Sequence, residues 1–187
     1  PSGTVWTIDA SHTTVEFSAK HMMITTVKGR FADVQGSITI HDADPSHSGV
    51  RVEIAAASID TRAAQRDEHL RSADFLDVEA FPTITFVSRR VEKATARQGS
   101  SFQVIGDLTI HGVTREVTLD ATYEGRGKDP WGGERVSFSA DTKIDRRDFG
   151  LTWNAALEAG GVLVGNDIKI HIDVQAVLQA EPHAQAA

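Results

Sequence analysis

The part of the sequence best suited to chemistry is a dense polar cluster, Arg66-Asp67-Glu68-His69. A histidine beside a carboxylate can act as a general acid or base, so Asp67 and His69 are a candidate catalytic pair. The arginine could instead act as a polar clamp at the mouth of a pocket. The alternative is an exposed helix face, on which such charges pair with one another and stabilise the helix by only about 0.2–0.5 kcal/mol per pair.

The chain has eight histidines and no cysteine. Their spacing includes neither His-x-x-x-His nor His-Glu-x-x-His, so a metal site would have to be assembled from distant histidines and carboxylates. The lack of cysteine excludes disulfides, iron–sulfur clusters and thiolate nucleophiles. No Gly-x-Ser-x-Gly motif indicates a serine hydrolase. We therefore predict no catalytic residue, no metal and no cofactor.

Alternation of apolar and polar residues is the strongest structural pattern in the chain. It recurs in about nine stretches, among them residues 34–40, 102–110 and 168–178. Such alternation predicts antiparallel β-strands with one buried face. His111-Gly112 lies between two of these stretches and predicts a tight hairpin turn.

Two segments depart from this alternation. Residues 62–75 are rich in alanine, arginine, glutamate and leucine, which predicts a short helix with Asp60 or Thr61 as its cap. Residues 125–133 contain four glycines and a proline, which predicts a loop.

The pattern as a whole predicts the all-β fold class and a sheet of eight or so strands, whose exposed edges disappear if it closes into a barrel. We predict a single domain over residues 1–178 and a flexible C-terminal tail over residues 179–187. Such a barrel is either filled by side chains or holds one small ligand. Small residues at inward positions, such as Ala19, Gly106 and Ala140, favour a cavity. A packed-core barrel that acts as an interaction module is the alternative.

Composition and charge exclude several classes of partner. The chain has 19 Lys and Arg against 26 Asp and Glu, and the resulting net charge of −7 argues against nucleic-acid binding. No stretch approaches the roughly 18 apolar residues of a membrane helix, so we do not predict an integral membrane protein. The first four residues have no signal-peptide pattern, which favours a cytoplasmic location. If a signal has already been removed, the protein would be periplasmic or secreted.

Several blocks of the chain, in order, resemble the YceI-like polyisoprenoid-binding family. The blocks are residues 6–17, 27–31, 58–61, 66–75, 81–86, 106–114, 129–132 and 147–151, followed by the closing strand from Asn166. They include the motifs Trp6-Thr7-Ile8-Asp9, Phe81-Pro82-Thr83 and Asp129-Pro130-Trp131-Gly132. The resemblance extends over residues 5–178.

The resemblance implies an eight-stranded antiparallel lipocalin-like β-barrel with one or two short helices and an elongated apolar cavity. It implies non-catalytic binding, storage or transport of an isoprenoid-type lipid, either a polyprenyl chain or an isoprenoid quinone. By the same analogy the protein could form a homodimer. An enzyme acting on a small hydrophobic or lipid substrate, with His69 and Asp67 as acid and base, is the alternative function.

We predict ligand contacts along the inward faces of the strands and near the helical segment. The predicted residues are Phe17, His21, Met22, Met23, Ile38, Ile54, Arg66, His69, Leu70, Phe75, Phe86, Leu108, Phe138 and Trp153. His21, Arg66 and His69 are predicted to meet the head group at a mouth of the barrel. Met22 and Met23 are predicted to form the rim of the pocket, since methionine adapts to irregular apolar surfaces.

Overall fold

A computed structural model of the chain describes residues 3–180. This part of the chain contains one α-helix, α1 (Ala64–Arg71), and eleven β-strands. The strands are β1 (Thr4–Ile8), β2 (Thr14–His21), β3 (Thr25–Phe31), β4 (Val34–Ile40), β5 (Gly49–Ala55), β6 (Ile59–Asp60), β7 (Thr83–Glu92), β8 (Ser101–Ile110), β9 (Val113–Lys128), β10 (Glu134–Asp145) and β11 (Asp167–Leu178).

The eleven strands occupy eight positions in a barrel, because three of the positions each contain two consecutive strands with a short break between them. A 3₁₀ turn, Ala10–His12, separates β1 from β2, and another, Ala56–Ser58, separates β5 from β6. Residues 32–33 separate β3 from β4. The strand order β1-β4-β5-β7-β8-β9-β10-β11 returns to β1, and every pairing is antiparallel. The predicted fold class, an eight-stranded antiparallel lipocalin-like barrel, is therefore confirmed.

Strand β11 shows why the sequence folds in this way. Its even-numbered residues from Ile168 to Val174 line the barrel interior, whereas Lys169 and His171 lie on the outer surface. Period-two alternation places every second side chain on the same face of a strand, so one face is apolar and the other is charged.

The connections between strands lie at the two ends of the barrel. The helix end consists of residues 22–24, 61–82, 111–112 and 146–166, and it includes α1. The loop end consists of residues 41–48, 93–100 and 129–133. The hairpin predicted at His111-Gly112 is confirmed, and both residues have the positive φ angles, 54° and 72°, that its tight turn requires.

Two boundaries differ from those predicted. The helix is shorter than residues 62–75 and begins after Ala63, which makes no side-chain cap hydrogen bond. Residues 125–128 belong to β9, so the loop predicted over 125–133 is confined to 129–133. Of the predicted tail, residues 181–187 lie outside the described residues, and the backbone N–H of Gln179 donates to the carbonyl oxygen of Val5 at 2.9 Å.

Candidate functional site

A cavity of about 520 Å³ occupies the barrel interior. This volume lies in the range of roughly 300–1,000 Å³ typical of small-molecule sites. Inward residues of all eight barrel positions form the wall, and most of them are aliphatic or aromatic. The cavity is therefore suited to an apolar ligand, and it is the feature that a packed-core barrel would lack.

Small side chains create part of this space. Ala121 of β9 lies opposite Ala140 of β10, and both residues are buried and line the cavity. Gly106 has a different role, because a Cβ atom there would lie 2.5 Å from the carbonyl oxygen of Val87 and 2.7 Å from the ring of Phe86. The glycine makes room for a wall residue, whereas the two alanines leave room for a ligand.

The helix end of the cavity is closed by apolar side chains. Phe75 and Leu76 follow α1, and Leu151 follows β10; all three are buried and line the cavity. The backbone N–H of Leu76 donates to the carbonyl oxygen of Leu70 at 3.0 Å, which holds this segment against the helix. These side chains form an apolar floor.

Arg146 holds the part of this floor that follows β10, residues 151–165. Its side chain is 3% exposed, and Nε donates to the carbonyl oxygen of Gly165 at 2.9 Å while Nη1 donates to those of Leu151 at 2.8 Å and Trp153 at 2.9 Å. Nη2 donates to a fourth carbonyl, that of Val164, at 3.3 Å. Burial lowers the pKa of Arg146, yet a guanidinium remains charged in proteins. The carbonyl dipoles therefore solvate a buried cation.

The neighbouring residue Arg147 behaves differently. It is exposed and pairs with Asp145, the Nη2 and Oδ2 atoms lying 2.6 Å apart. Hydrogen bonds from Arg147 lower the pKa of Asp145 to about 2. Sequence reasoning missed Arg146, because nothing local distinguishes it from Arg147.

The polar cluster on α1 also has a structural role. The carboxylate of Asp67 is buried and accepts hydrogen bonds from the backbone N–H of Thr61, at 2.9 Å, and from its hydroxyl. Arg66 donates to the hydroxyl and carbonyl oxygens of Thr61, each at 2.7 Å. The interpretation of this cluster as a solvated helix face is therefore wrong for Asp67, which ties the segment before the helix to the helix itself.

His69 has a different carboxylate neighbour from the one predicted. Its Nε2 lies 2.8 Å from Oδ2 of Asp74, whereas Asp67 faces Thr61. The His69 ring packs against Trp153 and Phe75, with centroids 4.7 and 5.1 Å away. Neither His69 nor Trp153 lines the cavity. The two residues cover the floor from outside, and Asp67 and His69 do not form an acid–base pair.

The fourteen predicted contact residues fall into two groups. Eight of them line the cavity: Phe17, Ile38, Ile54, Leu70, Phe75, Phe86, Leu108 and Phe138. Six lie at the helix end outside the lining: His21, Met22, Met23, Arg66, His69 and Trp153. Met22 and Met23 occupy the turn after β2, are 44% and 62% exposed, and lie outside the cavity lining. All fourteen stay predictions as ligand contacts.

The opening of the cavity lies at the opposite end from the predicted mouth. Among the lining residues, the exposed ones are Asp42, Thr95, Ala96 and Arg126. All four belong to the loop end or to the adjacent end of β9. Since no lining residue at the helix end is exposed, the cavity opens to solvent at the loop end.

Arg126 is the cavity-lining cation at this opening. Its guanidinium lies 5.0 Å from the ring centroid of Trp6, and Nη2 lies 3.2 Å from Oδ1 of Asp42. Sequence reasoning missed Arg126 because glycines on both sides made the segment resemble a loop. The available signal was an arginine between two glycines at the end of an alternating strand.

The outer wall carries a separate charged cluster. His171 of β11 lies between two carboxylates, with Nδ1 2.6 Å from Asp141 and Nε2 3.0 Å from Asp173. Hydrogen bonding to Asp141, and less strongly to Asp173, raises the pKa of His171. Within residues 3–180 no three His, Asp or Glu side chains are arranged to hold a metal ion. In the same part of the chain, no helix has the length and apolarity needed to cross a bilayer.

Comparison with known proteins gives matches over nearly all of this barrel. A family model described as a YceI-like domain matches residues 6–176. The UPF0312 protein of Serratia proteamaculans (strain 568) is 45% identical over 141 residues, which make up 75% of this chain and 71% of that protein.

Two solved structures have the same architecture. The Campylobacter jejuni YCEI protein superposes with a TM-score of 0.71 at 32% identity, covering 86% of this chain and 90% of that one. A polyisoprenoid binding domain from Saccharophagus degradans superposes with a TM-score of 0.68, covering 94% of this chain and 99% of that domain. At 14% identity, the second likeness shows a shared fold alone.

Proposed function

Because the chain belongs to the YceI-like family, we propose that its barrel binds one isoprenoid-type lipid and stores or transports it without catalysing a reaction. The observation that carries the proposal is the apolar cavity, closed by side chains at the helix end and open at the loop end. A site of this shape takes a chain tail-first and leaves the head group at the opening.

The length of the cavity supports a chain-like ligand. Lining residues of β8 extend from Phe102 to Ile110. Eight residue steps at about 3.3 Å each give roughly 26 Å along the strand. A ligand that uses this length must be long, narrow and apolar, as a prenyl chain is.

The energetics favour the same class of ligand. At roughly 0.8 kcal/mol per buried CH₂, a farnesyl chain has a gross driving force on the order of 12 kcal/mol. Association and ordering consume about 4–15 kcal/mol. At the lower end of this cost the remainder, about 8 kcal/mol, corresponds to micromolar affinity. Apolar burial therefore supplies the main driving force, and few polar contacts are needed.

The described polar groups support binding without catalysis. Arg146 and Asp67 are bonded to the protein itself, and His69 lies outside the cavity lining. The Saccharophagus degradans domain of the same fold is named for polyisoprenoid binding, which supports prenyl lipids as the candidate ligands.

Extraction of native protein tests this proposal. Protein purified from its own host is extracted with organic solvent, and the extract is analysed by mass spectrometry. We expect a stoichiometric prenyl lipid, and we expect delipidated protein to take up radiolabelled farnesol. Protein that yields no lipid and does not take up farnesol or farnesyl monophosphate would refute the proposal. Turnover of the bound lipid into a new product would refute its non-catalytic part.

A further inference from the structure

We infer that the opening at the loop end holds a subsite for an anionic head group, a phosphate or a carboxylate, and that Arg126 binds it. The inference rests on the proposed function and deepens it, since it assigns the charge of the ligand's head and the direction in which the chain lies. The head lies at the loop end, and the tail extends toward Phe75 and Leu76.

A β-bulge directs Arg126 toward the interior. Tyr123 lies opposite Phe138, but the next pair toward the loop end is Gly125 opposite Ser137, so Glu124 is an extra residue in β9. Side chains alternate along a strand, and one extra residue therefore moves Arg126 to the inward face. Its partner across the ladder is Val136, which is 1% exposed.

Gly125 provides the backbone conformation of this bulge. Its φ angle is 137°, in a region that residues with a Cβ rarely adopt. A Cβ atom at this position would also lie 3.0 Å from the side chain of Gln98. Together, the glycine and the extra residue turn the side chain of Arg126 toward the interior at the rim of the barrel.

The guanidinium is held at the rim by an aromatic ring. Trp6 is 1% exposed, and its Nε1–H donates to the hydroxyl of Thr4 at 2.9 Å, which fixes the indole. Arg126 lies over this ring at 5.0 Å from the centroid, within the range of a cation–π interaction. The charge is thus positioned before any ligand binds.

Arg126 retains hydrogen-bonding capacity. A guanidinium has five N–H donors. Within residues 3–180 its hydrogen-bond partner is a single carboxylate, that of Asp42. The Asp42 side chain is 59% exposed, so water can solvate it when an incoming anion replaces it. A phosphate or carboxylate can accept two parallel N–H bonds from arginine, which makes the exchange favourable.

Two other arginines near the cavity are already bonded to the protein. Arg146, the second arginine of the lining, donates to backbone carbonyls and is buried. Arg135 lies 2.7 Å from Asp9 and 3.0 Å from Asp129. A half-buried imidazole, His41, lines the opening next to Asp42 and offers a second donor. The opening is therefore the place where an anion finds an available arginine.

The test compares two probes with the same tail, farnesyl monophosphate and farnesol, by calorimetric titration of the full chain. We expect wild-type protein to bind the phosphate about tenfold more tightly, the scale of one charged hydrogen-bonded contact. Arg126→Gln should bind both probes with the affinity of farnesol. The matched control is Arg147→Gln at the helix end, an exposed arginine outside the cavity lining, which should keep the wild-type preference.

A second variant gives an effect of the opposite sign. Asp42→Asn removes the carboxylate that competes for Arg126, so its affinity for farnesyl monophosphate should rise severalfold while its affinity for farnesol stays unchanged. This result would support the inference even if Arg126→Gln failed to fold.

The possible outcomes separate the two proposals. Equal wild-type affinity for both probes, or a phosphate preference that persists in Arg126→Gln, would overturn the subsite and leave lipid binding intact. Asp42→Asn without any gain would also count against the subsite. Wild-type protein that binds neither probe would overturn both the subsite and the proposed function.

Discussion

The two ends of the barrel use arginine in opposite ways. At the helix end, Arg146 is buried and its guanidinium donates to four backbone carbonyls. At the loop end, Arg126 is partly exposed, rests on Trp6 and has one carboxylate as its hydrogen-bond partner. An arginine whose donors are bonded to the chain stabilises the fold, whereas one with unbonded donors beside an apolar cavity can bind a ligand.

The largest loss of stability should come from replacing Arg146, the arginine that donates to backbone carbonyls. Arg146→Met removes the donor of three carbonyls at the helix end and the longer of two hydrogen bonds to a fourth, that of Val164, which keeps the side-chain amide of Asn154 as donor. We therefore expect a loss of about 3–5 kcal/mol in the free energy of unfolding. Arg147→Met is the matched control and should cost less than about 1 kcal/mol, because its ion pair with Asp145 is exposed. Urea denaturation measures both variants. Equal losses would show that Arg146 does not fix the floor.

The second largest effect is expected from a larger side chain in the cavity, between the two ends of the barrel. Ala140→Leu places a larger side chain in the cavity opposite Ala121, and we expect the affinity for farnesol to fall by about tenfold or more. Because the added carbons enter unfilled space, the free energy of unfolding should change by less than about 1 kcal/mol. The control is Thr118→Leu, on the outer side of β9. Unchanged binding by Ala140→Leu would place the ligand elsewhere.

A third variant tests the polar cluster at the helix end. Asp67→Asn removes the charge that accepts two hydrogen bonds from Thr61, so we expect a loss of about 1–3 kcal/mol in the free energy of unfolding. The neighbouring exposed Glu68→Gln should change stability by less than about 0.5 kcal/mol. If Asp67→Asn instead kept full stability, the segment before α1 would be held by something other than this carboxylate.

The smallest effect lies on the outer wall, away from both ends. Since Asp141 and Asp173 raise the pKa of His171, the folded state binds its proton more tightly than the unfolded chain does. The stabilisation is therefore fully present below the ordinary histidine pKa, about 6.5, and is lost as the pH rises through the raised value. Asp141→Asn should lower the pKa of His171 in an NMR titration. A pKa that does not move would exclude this hydrogen bond in solution.

Much of the fold could be predicted because its determinants are local. The alternation in residues 168–178 specifies the two faces of β11, and His111-Gly112 specifies a hairpin. Phe86 and Leu108 could be predicted as wall residues for the same reason, since a large apolar side chain at an inward position has few other places to pack.

The functional ends could not be predicted, because they depend on contacts between distant segments. Arg146 differs from Arg147 only once residues 151–165 fold beneath the barrel. Arg126 faces inward only because β9 and β10 pair with a one-residue shift. Neither the fold of that segment nor the register shift is visible in the residues around each arginine. The sequence therefore pointed to the helix end as the mouth, whereas the exposed lining residues lie at the loop end.

A crystal structure of the protein with farnesyl monophosphate tests the central claim most directly. We expect density for the prenyl chain along the cavity, with its tail against Phe75 and Leu76 and its phosphate within hydrogen-bonding distance of Arg126. A phosphate bound at the helix end beside Arg66, or a ligand bound outside the barrel, would contradict the account.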